Sequence, residues 1–170
     1  MLSTFFLILQ LGFAIYLLYY IVAFISGAPF VPTSNNTARS MIQQAKLKNG
    51  VTAYDLGSGD GKLLKLAAKD GATAIGIEIN PILAAYTYVR FLFSPLKPLI
   101  SVQCESFWKT NLQAADVVFI YLLPLRMEKL EIKLKKELKP GALVVSNSFI
   151  FPHWKILRQD AKNHVYVFRA

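Results

Sequence analysis

Asp55-Leu56-Gly57-Ser58-Gly59-Asp60-Gly61 sets three glycines at alternate positions among two carboxylates. Glycines so spaced let the backbone turn tightly and come close to a ligand. The carboxylates then decide which charge that ligand must carry. A dinucleotide turn wants G-x-G-x-x-G, with a pyrophosphate resting on the helix N-terminus. Here the third glycine position is Lys62. Two carboxylates repel a pyrophosphate and attract a cation. S-adenosylmethionine has a sulfonium and an ammonium and no phosphate, so the pattern favours it over NAD as cofactor. Glu78 follows 21 residues after Gly57, the place from which an acidic side chain accepts both hydroxyls of a ribose.

Such a turn works only between a strand and a helix, and the flanking sequence supplies both. Residues 51–56 read as a strand and 62–69 as a helix, followed by a strand at 73–78. Pro81 suits the first turn of a helix over 82–93. Short apolar runs at 99–104 and 117–122 have strand length, and 126–138 is an amphipathic helix stopped by Pro140-Gly141. Further strands are expected at 142–146 and 164–169. Before all of these, Ser34 or Asn35 can cap a helix to about Lys48 that turns Ala38, Met41, Ile42 and Ala45 to one side. Strands alternating with helices predict an α/β fold, a mostly parallel sheet with helices on both faces.

The charge distribution adds a separate expectation. No charged side chain precedes Arg39, and all 29 charges, 19 basic and 10 acidic, fall in the remaining 132 residues. Residues 5–25, FFLILQLGFAIYLLYYIVAFI, would span roughly 31 Å as a helix, about one hydrocarbon core. The run is too long and lacks the basic start of a secretory signal. It is therefore expected to be one transmembrane helix, with Tyr16, Tyr19 and Tyr20 towards an interface. Arg39, Lys46 and Lys48 follow it and place the basic domain in the cytoplasm, or the matrix if organellar. The chain then divides into an anchor (1–27), a linker with a pre-domain helix (28–50) and a cofactor-binding domain (51–170). Cys104 is the single cysteine, which excludes an intramolecular disulfide and a cysteine-based zinc site. His153 and His164 are isolated, and no metal-ligand pattern is present.

At these residues the chain resembles the class I, Rossmann-like S-adenosylmethionine-dependent methyltransferases. Within them it is similar to the membrane-anchored lysine methyltransferases of the adenine nucleotide translocase and the ATP synthase c-ring protein, with their prokaryotic relatives. The similarity covers roughly residues 29–155. It rests on Pro29-Phe30-Val31-Pro32-Thr33 after the hydrophobic segment, on the glycine motif, and on Gly76-Ile77-Glu78-Ile79-Asn80-Pro81. The run Val117 to Pro124 and Phe151-Pro152-His153-Trp154 add to it. The resemblance implies that Asp55, Gly57, Ser58, Gly59 and Gly61 line the methionine end of the cofactor and that Glu78, with Asn80, holds the ribose. It implies that Glu105, with Ser106, meets the adenine, and that Phe107 or Trp108 packs on the ring. The methyl acceptor it implies is a lysine of a protein in or near a membrane.

A lysine nucleophile must lose its proton, and a partly apolar site with oriented hydroxyls or carbonyls helps it do so. Tyr121, at the end of the fourth strand, is the first candidate to line that site, and Thr33 the second. Arg126, Lys129, Lys133 and Lys136 form one stripe on the late helix, while Met127, Leu130, Leu134 and Leu138 face inward. The stripe reads as a solvated face or as a contact for anionic headgroups. Nucleic-acid binding is not expected, because no aromatic-interleaved basic strand accompanies it. Two rival functions share these residues: methylation of a lipid, quinone or other small molecule, and a membrane-tethered module that binds S-adenosylmethionine without catalysis.

Overall fold

The computed structural model describes residues 2–26, with backbone alone at 18–20 and 22–26, and residues 30–170. Seven strands form one sheet in the order β3-β2-β1-β4-β5-β7-β6. They are β1 (Thr52–Leu56), β2 (Thr73–Ile77), β3 (Ile100–Gln103), β4 (Val117–Ile120), β5 (Leu143–Asn147), β6 (Arg158–Asp160) and β7 (Val165–Arg169). The first five run parallel, and β7 lies antiparallel between β5 and β6. The helices are α1 (Leu2–Ser26), α2 (Asn35–Ala45), α3 (Lys62–Lys69), α4 (Pro81–Leu92) and α5 (Met127–Glu137).

The strands bury both faces by alternation. Ala53, Val117, Phe119, Val145 and Val167 pack with Met41, Ile42, Leu63, Leu64 and Ala67 of α2 and α3. Tyr54, Val118, Ile120, Val144 and Phe168 pack with Leu130, Leu134 and Leu138 on the α5 side. The sequence also starts the helices on either side of the site. The Ser34 hydroxyl accepts from the Thr37 N–H ahead of α2, and Asn80 Oδ1 accepts from Ile82 and Leu83 with Pro81 in the first turn of α4. The expected Rossmann-like architecture is therefore the observed one.

Several local expectations differ. The helix α2 ends at Ala45 because Lys46 adopts a left-handed conformation (φ 51°) and returns its N–H to the Gln43 carbonyl. The strand β6, Arg158-Gln159-Asp160, has no apolar residue to announce it. Its two ends are instead fixed at long range: Arg158 donates to the Gln44 carbonyl, and Asp160 accepts from the Ser40 hydroxyl at 2.6 Å. The basic stripe is open to solvent at Lys129 and Lys136 and partly engaged elsewhere. Lys133 donates to Glu137 and to the Thr110 carbonyl, and Lys129 lies 4.7 Å over the Trp108 ring.

The transmembrane expectation is corrected. The helix α1 forms, but among the described residues no helix is long and apolar enough to cross a membrane. Its continuous described side chains, all exposed, run from Leu2 to Leu17. The anchor, the bilayer contact and the cytoplasmic or matrix placement drawn from it do not stand. The side chains of Tyr19 and Tyr20, and the domain boundary expected between 27 and 28, lie outside the described residues.

Candidate active site

The sheet itself assembles the site. Leu56, the last residue of β1, is in register with Ile77 of β2 on one side and Ile120 of β4 on the other. The next residues of the three strands, Gly57, Glu78 and Tyr121, therefore emerge side by side at the carboxyl edge, where the strand order reverses. Gly57 and Ser58 both donate their N–H to the Ile77 carbonyl, at 2.8 and 3.1 Å, which ties the turn to β2.

Glu78 holds the turn from the other side. Its Oε2 accepts from the Gly59 N–H at 2.9 Å and its Oε1 from the Asn80 N–H at 2.8 Å. A carboxylate has about four acceptor positions, so Glu78 keeps acceptor capacity for a hydroxyl donor. Behind the turn, the Thr87 hydroxyl donates to the Gly59 carbonyl at 2.8 Å, and Arg90 donates to the Asp60 carbonyl at 2.7 Å and pairs with its carboxylate at 3.5 Å. A Cβ on Gly61 would meet the Thr87 methyl at 2.6 Å, so only glycine admits α4 this close.

Over the front of the turn passes a strap, residues 30–33, without regular structure. The Phe30 ring lies so close to Gly59 that a Cβ there would meet it at 2.8 Å, and Gly59 has φ +53°. Lys62 donates from Nζ to the Thr33 carbonyl. Strap and turn together enclose a cleft of about 550 Å³, including space open to solvent.

Of the residues expected at the site, Asp55, Gly57, Ser58, Gly59, Glu78, Thr33 and Tyr121 all line this cleft. Gly61 packs away from it against α4, and Asn80 is occupied as the α4 cap. Glu105 and Ser106 are not among the lining residues. Glu105 Oε1 accepts from the Thr110 hydroxyl at 2.7 Å, and the Ser106 carbonyl accepts from the Lys109 N–H at 2.8 Å. Phe107 and Trp108 pack together with ring centres 4.8 Å apart. Tyr121 stacks on Phe149 at 6.5 Å, which fixes its ring beside the cleft.

Thr87, Arg90 and the Phe30 ring belong to the site without being expected there. Thr87 and Arg90 have a signal in the inward face of α4, where Thr87 and Phe91 stand four apart and bracket Gly61. Phe30 belongs to the Pro-Phe-Val-Pro-Thr motif, but its contact with Gly59 has no local signal, because the two are far apart along the chain.

The electrostatics identify what the cleft lacks. Asp55 is buried, and burial, with the nearby Glu78 and Asp60 carboxylates, pushes its pKa up to about 8. Burial also raises Glu78, against the lowering effect of the N–H bonds from Asn80, Gly59 and Ile79. Among the described residues neither carboxylate has a salt-bridge partner within 4.0 Å. The Ser58 hydroxyl is buried without a hydrogen-bond partner. A cationic ligand with its own acceptors answers both deficits, and a pyrophosphate would aggravate the first. S-adenosylmethionine, with ammonium, sulfonium, carboxylate and ribose, fits this donor set.

Comparison with known proteins agrees. Residues 55–158 match the model of the ANTKMT methyltransferase domain. The chain is 34% identical over 126 residues to the human lysine N-methyltransferase of the ATP synthase c-ring protein, covering 74% of this chain and 54% of that protein. It thus spans about half the length of that relative. A protein-lysine N-methyltransferase of Saccharolobus islandicus is 34% identical over 135 residues, 78% of this chain and 84% of that one. Among solved structures, an RNA methyltransferase from Salinibacter ruber in complex with S-adenosyl-L-homocysteine superposes with a TM-score of 0.77 at 32% identity, over 82% of this chain and 93% of that one. The glycine turn and the acidic residue after the second strand both lie inside the matched region, and the chain belongs to the ANTKMT methyltransferase domain family.

Proposed function

We propose that this chain is an S-adenosylmethionine-dependent protein-lysine N-methyltransferase. The observation that carries the reading is the pair of buried carboxylates, Asp55 and Glu78, neither of them in a salt bridge among the described residues, in a cleft that Thr33 and Tyr121 also line. Bound there, S-adenosylmethionine supplies a sulfonium methyl group that a neutral amine takes in line, leaving S-adenosyl-L-homocysteine. Asp55 meets the ammonium, and Glu78 accepts from the ribose hydroxyls while it pins the Gly59 N–H. Tyr121 and Thr33 orient the acceptor amine with hydroxyl and carbonyl oxygens, and the strap keeps water from it. Positioning of this kind is worth up to roughly 7–11 kcal/mol in ideal cases.

The protein acceptor is taken from two relatives in different organisms that are named as lysine methyltransferases. The relative named for RNA makes nucleic acid the rival acceptor. Lys133 and Lys135 on α5 are held by Glu137 and Glu131, which does not favour a backbone-binding face on that helix. Location at a bilayer is not part of this reading.

The test is transfer of a labelled methyl group from S-adenosylmethionine to separate protein, RNA and lipid fractions of the source cells, with acid hydrolysis of the labelled product. Methyllysine in the protein fraction, lost in Asp55→Asn, supports the reading. Label confined to RNA or lipid replaces the acceptor class. Cofactor binding without transfer to any fraction leaves a binding module.

A further inference from the structure

Lys62 stands where helix physics gives no reason for a lysine. It opens α3, at the positive end of the helix dipole, and no acidic residue shares that first turn. Asp60 Oδ1 accepts from the Lys62 backbone N–H at 3.2 Å and its Oδ2 faces Arg90 at 3.5 Å, so no salt bridge joins Asp60 to the Lys62 ammonium. The Lys62 ammonium reaches instead across to the Thr33 carbonyl, 29 positions earlier in the chain.

That contact closes a loop of structure. The strap at 30–33 is anchored at its far end by the Ser34 cap of α2, and α2 is packed on the sheet and bound by Ser40 to Asp160. Two contacts hold the strap down on the glycine turn, the Phe30 ring on Gly59 and the Thr33 carbonyl on Lys62. Between these points Val31 and Pro32 line the cleft, while Phe30 and Val31 are half-open to solvent.

We propose that Lys62 is a positioning residue, a latch whose hydrogen bond to the Thr33 carbonyl holds the 30–33 strap over the cofactor cleft and slows the escape of bound ligand. The inference rests on the methyltransferase reading for the identity of the ligand, but the latch itself is a property of the ligand-free chain. A ligand trapped under the strap leaves only after the strap lifts, so the latch acts on dissociation. An arginine reaches the same carbonyl with the same charge, and a methionine matches the length without a donor.

Two measurements on the full chain separate the outcomes. The first is the dissociation rate of S-adenosyl-L-homocysteine by stopped-flow displacement, for the native chain, Lys62→Met and Lys62→Arg. The ligand should leave Lys62→Met about tenfold faster, the effect of one charge-assisted hydrogen bond at a part-exposed site. Lys62→Arg should stay within roughly threefold of native. The second is NMR on the ligand-free chain, where the Phe30 ring over Gly59 gives a cross-relaxation peak to the Gly59 α-protons and moves them upfield. Lys62→Met should weaken the peak and relax the shift, and Lys62→Arg should keep both. Native dissociation rates or an undisturbed Phe30–Gly59 signal in Lys62→Met overturns the latch while leaving the methyltransferase reading intact. If the native chain does not bind S-adenosyl-L-homocysteine, that reading fails, and the NMR comparison alone decides whether Lys62 holds the strap.

Discussion

Two acidic pairs in this molecule are treated in opposite ways. On α5, Glu131 is as buried as Asp55, yet Lys135 meets it at 2.6 Å from one turn on, and the His153 N–H completes it at 3.0 Å. Glu137 likewise has Lys133 one turn before it, at 2.6 Å, and accepts from the Leu112 N–H. In the cleft, Asp55 and Glu78 are buried near each other and near Asp60, and no lysine or arginine is brought to either among the described residues. A chain that satisfies its structural carboxylates so directly shows by contrast that the cleft pair is completed from outside. Buried charge with a partner belongs to the fold, and buried charge without one belongs to a ligand.

Disturbing each pair in turn should separate the two roles. The largest effect is expected for Asp55→Asn, which removes the counter-charge to the ligand ammonium. Affinity for S-adenosyl-L-homocysteine by calorimetry should fall about a hundredfold, near 3 kcal/mol for a buried charge pair. Next is Lys135→Met, which strands Glu131. Thermal unfolding should show a loss of about 2 kcal/mol, with ligand affinity unchanged. If Lys135→Met weakened binding as strongly as Asp55→Asn, the division between the two pairs would collapse.

The comparison sharpens with pH. A buried acid whose folded pKa is raised to about 8 stays protonated while the unfolded chain ionises from about 4 upward. The native fold therefore loses stability progressively from about pH 4 to about pH 8, and this contribution is absent below the unfolded pKa. Asp55→Asn should accordingly be more stable than the native chain near pH 8 and equal to it at about pH 3.5, in urea titrations at each pH. An asparagine variant less stable at both would show that Asp55 is held by protein contacts after all. The smallest effect is expected for Gly59→Ala. The positive φ and the displaced Phe30 ring should cost about 1–2 kcal/mol of stability, read as a lower urea midpoint.

The site is legible in the sequence wherever its logic is local. Three glycines around acidic residues, an acidic residue ending the next strand, and Pro81 after Asn80 are each statements about a few neighbouring positions. The strands they depend on carry their own apolar runs. What escapes depends on residues far apart. Phe30 meets Gly59 and Lys62 meets Thr33 only after the sheet has formed, and Lys62 read from sequence is merely a missing glycine. The same holds for β6, a strand of Arg, Gln and Asp that exists because Ser40 and the Gln44 carbonyl bind its ends. The stripe on α5 is visible as spacing, but whether Lys133 faces water depends on Glu137 and the Thr110 carbonyl. The apolar start of the chain reads as a span by length and hydropathy alone, and no described helix meets the requirement for one.

The central claim is that the missing cation of the cleft arrives with the ligand, and proton release tests it most directly. S-adenosyl-L-homocysteine is titrated into the full chain at about pH 7 in buffers of different ionisation enthalpy. The account predicts saturable binding that expels a large fraction of one proton, because the ammonium forces ionisation of an Asp55 that is otherwise protonated at that pH, and expels none from Asp55→Asn. Binding with no proton release from the native chain, or no binding at all, would contradict it.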